Sequence, residues 1–356
     1  GARWQRREAR GALSQVADVM QESAVELSSE EQGAGVMLAD PLWGYKYKQE
    51  HSGLIQPFDF ILDAVYELRS TLEPKGHDVY IATYPKCGTT WMQQICMLLL
   101  RGSDAACDPM KDAPWLEMAV SRVATPGYRP VSGTPSLSCE ALCALGPGPE
   151  ADSGRRVWKT HAPASAAPWR GGPAAAAGAG AKVVVVSRNP KDAAVSMLHH
   201  SRNIPGFCWR GGWDEFAPLF LDGKVESSSI WEWHRGWWEA AASQPDCVLL
   251  VHFEDLKADL PAEVARVAEH LGLQRSAEEL QAVAARCGFG AMKAEAEARD
   301  AATAAAGGVV KQGHFRQGTT GGWRELMSDA QAAAFDAKTA ELVASVAGGG
   351  QTFRTV

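Results

Sequence analysis

Four short runs of nearly unbroken apolar character recur along the chain, near 78–83 (Asp78-Val79-Tyr80-Ile81-Ala82-Thr83), 156–161, 182–187 (Lys182-Val183-Val184-Val185-Val186-Ser187) and 247–253. Apolar runs of this length, rich in β-branched residues, predict strands buried on both faces. Behind the first run, apolar positions recur at helical spacing from Trp91 to Leu100, and behind the third they continue through Val195, Met197 and Leu198. A helix is also predicted after the fourth. Alternating strand and helix predicts an α/β fold, a mostly parallel central sheet with helices on both faces and ligands at the carboxyl ends of the strands. Trp231, Trp233, Trp237 and Trp238 read as core. Two stretches break the pattern and read as surface loops: 121–154, rich in Pro, Ser, Gly and Cys, and 164–181, dominated by Ala and Gly.

Chemistry concentrates at the strand-to-helix junctions. The loop Tyr84-Pro85-Lys86-Cys87-Gly88-Thr89-Thr90-Trp91 ends the first strand and opens a helix, whose unpaired N–H groups and positive dipole end suit a phosphate or sulfate. Lys86 precedes Gly88, whereas an ATP-binding P-loop places its lysine after the second glycine, so a nucleotide kinase fits poorly. A second strand-to-helix junction, Arg188-Asn189-Pro190-Lys191-Asp192 running on to Ser196, follows the third strand. Between the two lies Val157-Trp158-Lys159-Thr160-His161. On an extended strand Lys159 and His161 share a face, so the histidine can take a proton while the lysine stabilises developing charge.

Together these segments resemble the cytosolic, small-molecule sulfotransferases. The first loop is similar to their 5′-phosphosulfate loop T-Y-P-K-S-G-T-T-W, with Cys87 in place of serine, a weak thiol donor for a good hydroxyl. The Arg188 to Ser196 segment resembles their 3′-phosphate segment, and Lys159-Thr160-His161-Ala162-Pro163 their K-T-H-L-P strand. Lys311-Gln312-Gly313-His314-Phe315-Arg316-Gln317-Gly318-Thr319-Thr320-Gly321-Gly322-Trp323 is similar to their R-K-G-x-x-G-D-W loop, with Gln317 and Gly322 departing. Phe253-Glu254-Asp255-Leu256-Lys257 and Cys287-Gly288-Phe289-Gly290-Ala291-Met292-Lys293 resemble Y-E-D-L/M-K and T-S-F-x-x-M-K.

The resemblance implies a P-loop-kinase-like sulfotransferase fold and 3′-phosphoadenosine 5′-phosphosulfate (PAPS) as donor, with adenosine 3′,5′-bisphosphate as product and no metal. It implies His161, Lys86 and Lys159 as catalytic residues. Donor binding then falls to Lys86, Cys87, Gly88, Thr89, Thr90 and Trp91, to Arg188 and Ser196, to Phe253, Cys287 and Phe289, and to Arg316, Gln317 and Gly318. Trp91 and Phe289 are expected as the aromatic pair around the adenine. The acceptor would be a small molecule bearing a hydroxyl or amine. The alternative is a non-catalytic or weakened PAPS-fold binding protein, with a nucleotide kinase behind it. The family's dimer segment is not reproduced around Arg324, Ser328, Asp329 and Ala334.

Composition adds limits. The 356 residues, 46% hydrophobic and 22% charged, suffice for a large core, and a net charge of −7 argues against general binding to nucleic acid or anionic membrane, leaving a local basic pocket for anions. Eight cysteines without C-x-x-C pairs predict free thiols and a cytoplasmic setting, and no run of 18 apolar residues predicts a membrane span. Residues 1–40 read as a mobile N-terminal extension and 41–356 as one domain, with the loop near 121–154 placed to shape substrate access.

Overall fold

The computed structural model describes residues 45–48, 54–57, 62–120, 138–146, 154–203, 209, 211–305, 318–346 and 352–354. The expected extension 1–40 lies outside them. A hairpin that the sequence pattern did not announce, β1 (Tyr45–Lys48) and β2 (Leu54–Pro57), pairs antiparallel and is held by Ser228 Oγ, which accepts from Ile55 N at 2.9 Å. The four expected strands follow as β3 (Asp78–Thr83), β4 (Arg156–Thr160), β5 (Lys182–Ser187) and β6 (Val248–His252). They form an all-parallel sheet in the order β4-β3-β5-β6.

Alternation of side chains splits the interior into two layers. Tyr80, Ala82, Trp158, Val183 and Val185 point into one; Val79, Ile81, Val157, Val184 and Val186 point into the other. Each of Val183 to Val186 is fully buried, which stabilises the fold by about 1.5–3 kcal/mol per side chain. On the first face lies the helix Ile230–Ser243, and Trp231, Trp233, Trp237 and Trp238 are core residues as expected. The second face is covered by the helices Thr89–Arg101, Leu260–His270 and Ala277–Arg286. Further helices follow the third strand (Pro190–Asn203) and the fourth (Phe253–Ala258), as the pattern predicts.

Two expectations need correction. Segment 164–181 is not a surface loop: it holds a 3₁₀ turn (Ala164–Ala166) and the helix Gly172–Gly178, with Trp169 buried and stacked 4.0 Å from the Tyr80 ring. Alanine has the highest helix propensity, and its small side chain lets Ala176 pack directly against the core. Within 121–154, residues 138–146 are described, and they carry the helix Cys139–Ala144. Its last turn is fastened by Lys75 Nζ to the carbonyls of Cys143 and Leu145 and by Arg156 Nη1 to Leu145 O at 2.7 Å. Arg156 opens β4, so this part sits at the amino ends of the strands and not beside the expected acceptor pocket.

The strand order determines which groups can meet. With β3 between β4 and β5, the loop after β3, the His161 that follows β4 and the Arg188 that follows β5 emerge side by side at the carboxyl edge.

Candidate active site

The loop after β3 is shaped by two residues in left-handed backbone, Lys86 at φ 71° and Gly88 at φ 106°. A Cβ on Gly88 would also approach Phe253 Cδ2 to 3.0 Å, so the glycine is required by both conformation and space. The helix begins at Thr89, and its first N–H groups face the loop. Such an end favours an anion by about 0.3–1 kcal/mol at an exposed site. Cys87 turns the other way. Its side chain is fully buried in the core, burial pushes the thiol far above its ordinary range, and the Arg188 backbone N–H donates to it. The thiol is therefore not presented to an anion, and the exchange of hydroxyl for thiol falls inside the protein.

A chain of hydrogen bonds joins this loop to the histidine. Thr89 Oγ1 and Thr83 Oγ1 share a hydrogen bond of 2.6 Å, and Thr83 Oγ1 stands 3.2 Å from His161 Nδ1. The same Nδ1 is 2.7 Å from the Thr83 carbonyl, which accepts its proton. A neutral imidazole with its proton on Nδ1 carries its lone pair on Nε2, the nitrogen then able to act as base. Trp115 packs edge-on to the His161 ring at 4.6 Å, and the Lys159 ammonium lies 4.4 Å from the Trp115 ring. Lys159 and His161 thus share a face, as the strand period requires, while Thr160 on the opposite side donates to the buried carboxylate of Glu117 at 2.6 Å.

The field at His161 ties the site together. Burial first, and then the Lys159 charge, hold the imidazole well below its ordinary 6.5; the Thr83 carbonyl pulls it up, and Lys86 pushes it further down. Both lysine charges act against protonation of the ring. An anion bound between them would cancel that push and return basicity to the histidine.

Arg188 is the second candidate group for an anion. Its Nη1 donates to Lys86 O at 2.8 Å and its Nη2 to Thr319 O at 3.2 Å, and its guanidinium stacks 4.2 Å from the Phe253 ring. Its buried Nε has no partner among the described residues, nor does the buried Trp91 Nε1. Buried donors without partners are costly, and an acceptor supplied by a bound ligand removes that cost. Ser196 lies on the helix Pro190–Asn203, nearly two turns beyond its first residue, and is partly exposed.

The aromatic residues make separate contacts. Trp91 meets Phe253 edge-on at 5.3 Å. Phe289 instead lies against Gly318, where a Cβ would come within 2.3 Å of its ring and where φ is 60°. Cys287 is fully buried in the second core layer, so its side chain faces no cleft. Arg316 and Gln317 lie outside the described residues.

Several contributors were not singled out from sequence: Thr83, Trp115, Glu117, Asp192 and Glu254. Asp192 accepts from Gly321 N at 2.7 Å and Trp323 N at 3.2 Å, and Lys191 reaches both the Trp323 ring and Asp336. Lys191 and Asp192 thereby pin the glycine loop that carries Gly318 over Arg188. Their position inside the R-N-P-K-D string was the available signal.

A family model described as "Sulfotransferase domain" matches residues 76–347. Human Sulfotransferase 6B1 is 28% identical over 294 residues, covering 83% of this chain and 85% of its own. Mouse Sulfotransferase 2B1 is 30% identical over 273 residues, covering 75% and 71%. Among solved structures, the fold is similar to mouse sulfotransferase SULT7A1 complexed with PAP, at 21% identity, a TM-score of 0.64 and coverage of 85% and 94%. It is also similar to retinol dehydratase in a complex with retinol and PAP, at 21% identity, a TM-score of 0.68 and coverage of 92% and 98%. The chain belongs to the sulfotransferase-domain family and is a PAPS-dependent sulfotransferase.

Proposed function

We propose that this enzyme transfers the sulfuryl group in line to a hydroxyl or amine of a small-molecule acceptor, with His161 as general base. The observation that carries the reading is the hydrogen-bonded run from the donor loop through Thr89 and Thr83 to His161, with Lys159 on the same face beside Trp115. PAPS supplies the sulfuryl group when bound. The left-handed cradle at Lys86 and Gly88, the N–H groups from Thr89 to Trp91 and the unpartnered Arg188 Nε fit its two anionic ends.

His161 Nε2 takes the acceptor's proton while Thr83 holds Nδ1, so the ring cannot turn away. Lys86 offsets charge on the bridging oxygen as it leaves, and Lys159, held against Trp115, stabilises the sulfuryl oxygens. Arg188 and Ser196 hold the 3′-phosphate, with Gly318 closing over it. Positioning and charge stabilisation supply the catalysis, as in phosphoryl transfer. An acceptor hydroxyl is in keeping with the retinol, an alcohol, held by one structural neighbour.

Calorimetric titration with adenosine 3′,5′-bisphosphate tests the donor site, with adenosine 5′-monophosphate and ATP as controls. The expected result is preference for the bisphosphate, abolished in Arg188→Ala. No binding, or preference for ATP, would remove the reading.

A further inference from the structure

Arg188 is held in front by Lys86 and Thr319 and, through its chain neighbours, from behind. Ser187 Oγ accepts from Trp238 Nε1 at 3.3 Å. Asn189 N donates to Glu254 Oε1 at 2.9 Å, and Asn189 Oδ1 accepts from Lys191 N at 3.0 Å. The remaining arm of Asn189, its Nδ2, donates to the backbone carbonyl of Arg354 at 3.1 Å, across 165 residues of chain.

The residues that present that carbonyl are themselves fastened twice. The Arg354 guanidinium makes a two-pronged pair with Asp255, Nη2 to Oδ2 at 2.8 Å and Nε to the two carboxylate oxygens at 3.1 and 3.0 Å. Phe353 is buried, 4.6 Å from the His234 ring and 4.9 Å from Trp238. Trp238 is the same indole that holds Ser187, and Asp255 follows Glu254, which holds Asn189. Through Trp238, Asp255 and Asn189, the Phe353-Arg354 pair is therefore tied to the Ser187-Arg188-Asn189 turn or to the immediate neighbours of the residues that fix it.

We infer that Phe353-Arg354 is a positioning segment for Arg188, setting the angle at which its guanidinium meets the donor's 3′-phosphate; this rests on the donor reading proposed above. The segment touches no anion itself. A guanidinium makes two parallel bonds to a phosphate only in one orientation, so a small rotation of the turn costs the second bond.

The test is the ratio of the dissociation constants for adenosine 5′-monophosphate and adenosine 3′,5′-bisphosphate, measured calorimetrically on the full chain. That ratio isolates the 3′-phosphate contribution, which a general loosening of the fold does not change selectively. In Arg354→Ala and Phe353→Leu the ratio falls by about tenfold or more, as for loss of one charge-assisted bond, while monophosphate affinity stays put. Arg354→Ala decides the matter if Phe353→Leu does not fold, because the Arg354–Asp255 pair is partly exposed. An unchanged ratio, or equal weakening of both ligands, overturns the inference. Absence of bisphosphate preference in the wild-type protein would instead overturn the donor reading, and this inference with it.

Discussion

Replacing His161 by glutamine tests the mechanism at its centre. Glutamine keeps a polar side chain at a buried position but cannot carry a proton away. Loss of a positioned general base costs about 10²–10⁴-fold in turnover. That corresponds to roughly 3–5 kcal/mol of barrier. The pH dependence gives a second, sharper readout. The free enzyme's imidazole is held well below 6.5 by burial and Lys159, so it is neutral and competent throughout the neutral range. The acid limb of kcat/KM for the donor, which reports the free enzyme, therefore falls well below pH 6.5. The limb of kcat reports the loaded enzyme, where the donor's charge offsets Lys86 and Lys159, and it lies at higher pH. Initial rates from pH 4.5 to 8, with melting curves to verify folding, measure both limbs. Turnover in His161→Gln within about threefold of wild type, or an acid limb that survives the substitution, would refute the base assignment.

Two further outcomes are expected. Gly318→Ala places a Cβ 2.3 Å from Phe289 in a residue at φ 60°, so the loop shifts in the free variant; restoring it on binding costs ~1–2 kcal/mol and weakens bisphosphate binding about tenfold, read by titration, and unchanged affinity would detach this loop from the donor site. Acid stability follows from three buried histidines, since burial lowers His252 and His270 to about 4 and His234 to about 3. The unfolded chain takes up their protons near pH 6.5 and the folded one does not, so their stabilisation is full above that pH and is lost as pH falls toward 4. For His252 the full separation is worth roughly 3 kcal/mol, and urea midpoints at pH 7 and 4.5 should differ less in His252→Asn than in wild type.

The residues that make the site legible are local. The string from Tyr84 to Trp91 combines a turn, a cation and a helix start within one loop, and the alternation at Lys159 and His161 follows from strand geometry alone. Segment 164–181 shows where local composition misleads: alanine and glycine looked like loop, but Tyr80 and the core offered Trp169 a place and Ala176 a close contact. Cys87 shows the same limit at one position. A motif specifies which residue stands in a loop, not which way its side chain turns, and here the thiol turned into the core.

Local pattern was enough for the four strands of the central sheet, the helices that follow three of them and the candidate reactive groups, because apolar runs, periodicity and turn residues act over a few neighbours. Tertiary structure alone decided that β3 lies between β4 and β5, that Thr83 accepts the His161 proton, that Trp115 packs against both Lys159 and His161, and that Arg354 reaches Asn189. Those pairs stand tens to more than a hundred residues apart. Their meeting depends on which faces the whole sheet buries, a free-energy balance over the entire core that no local pattern encodes.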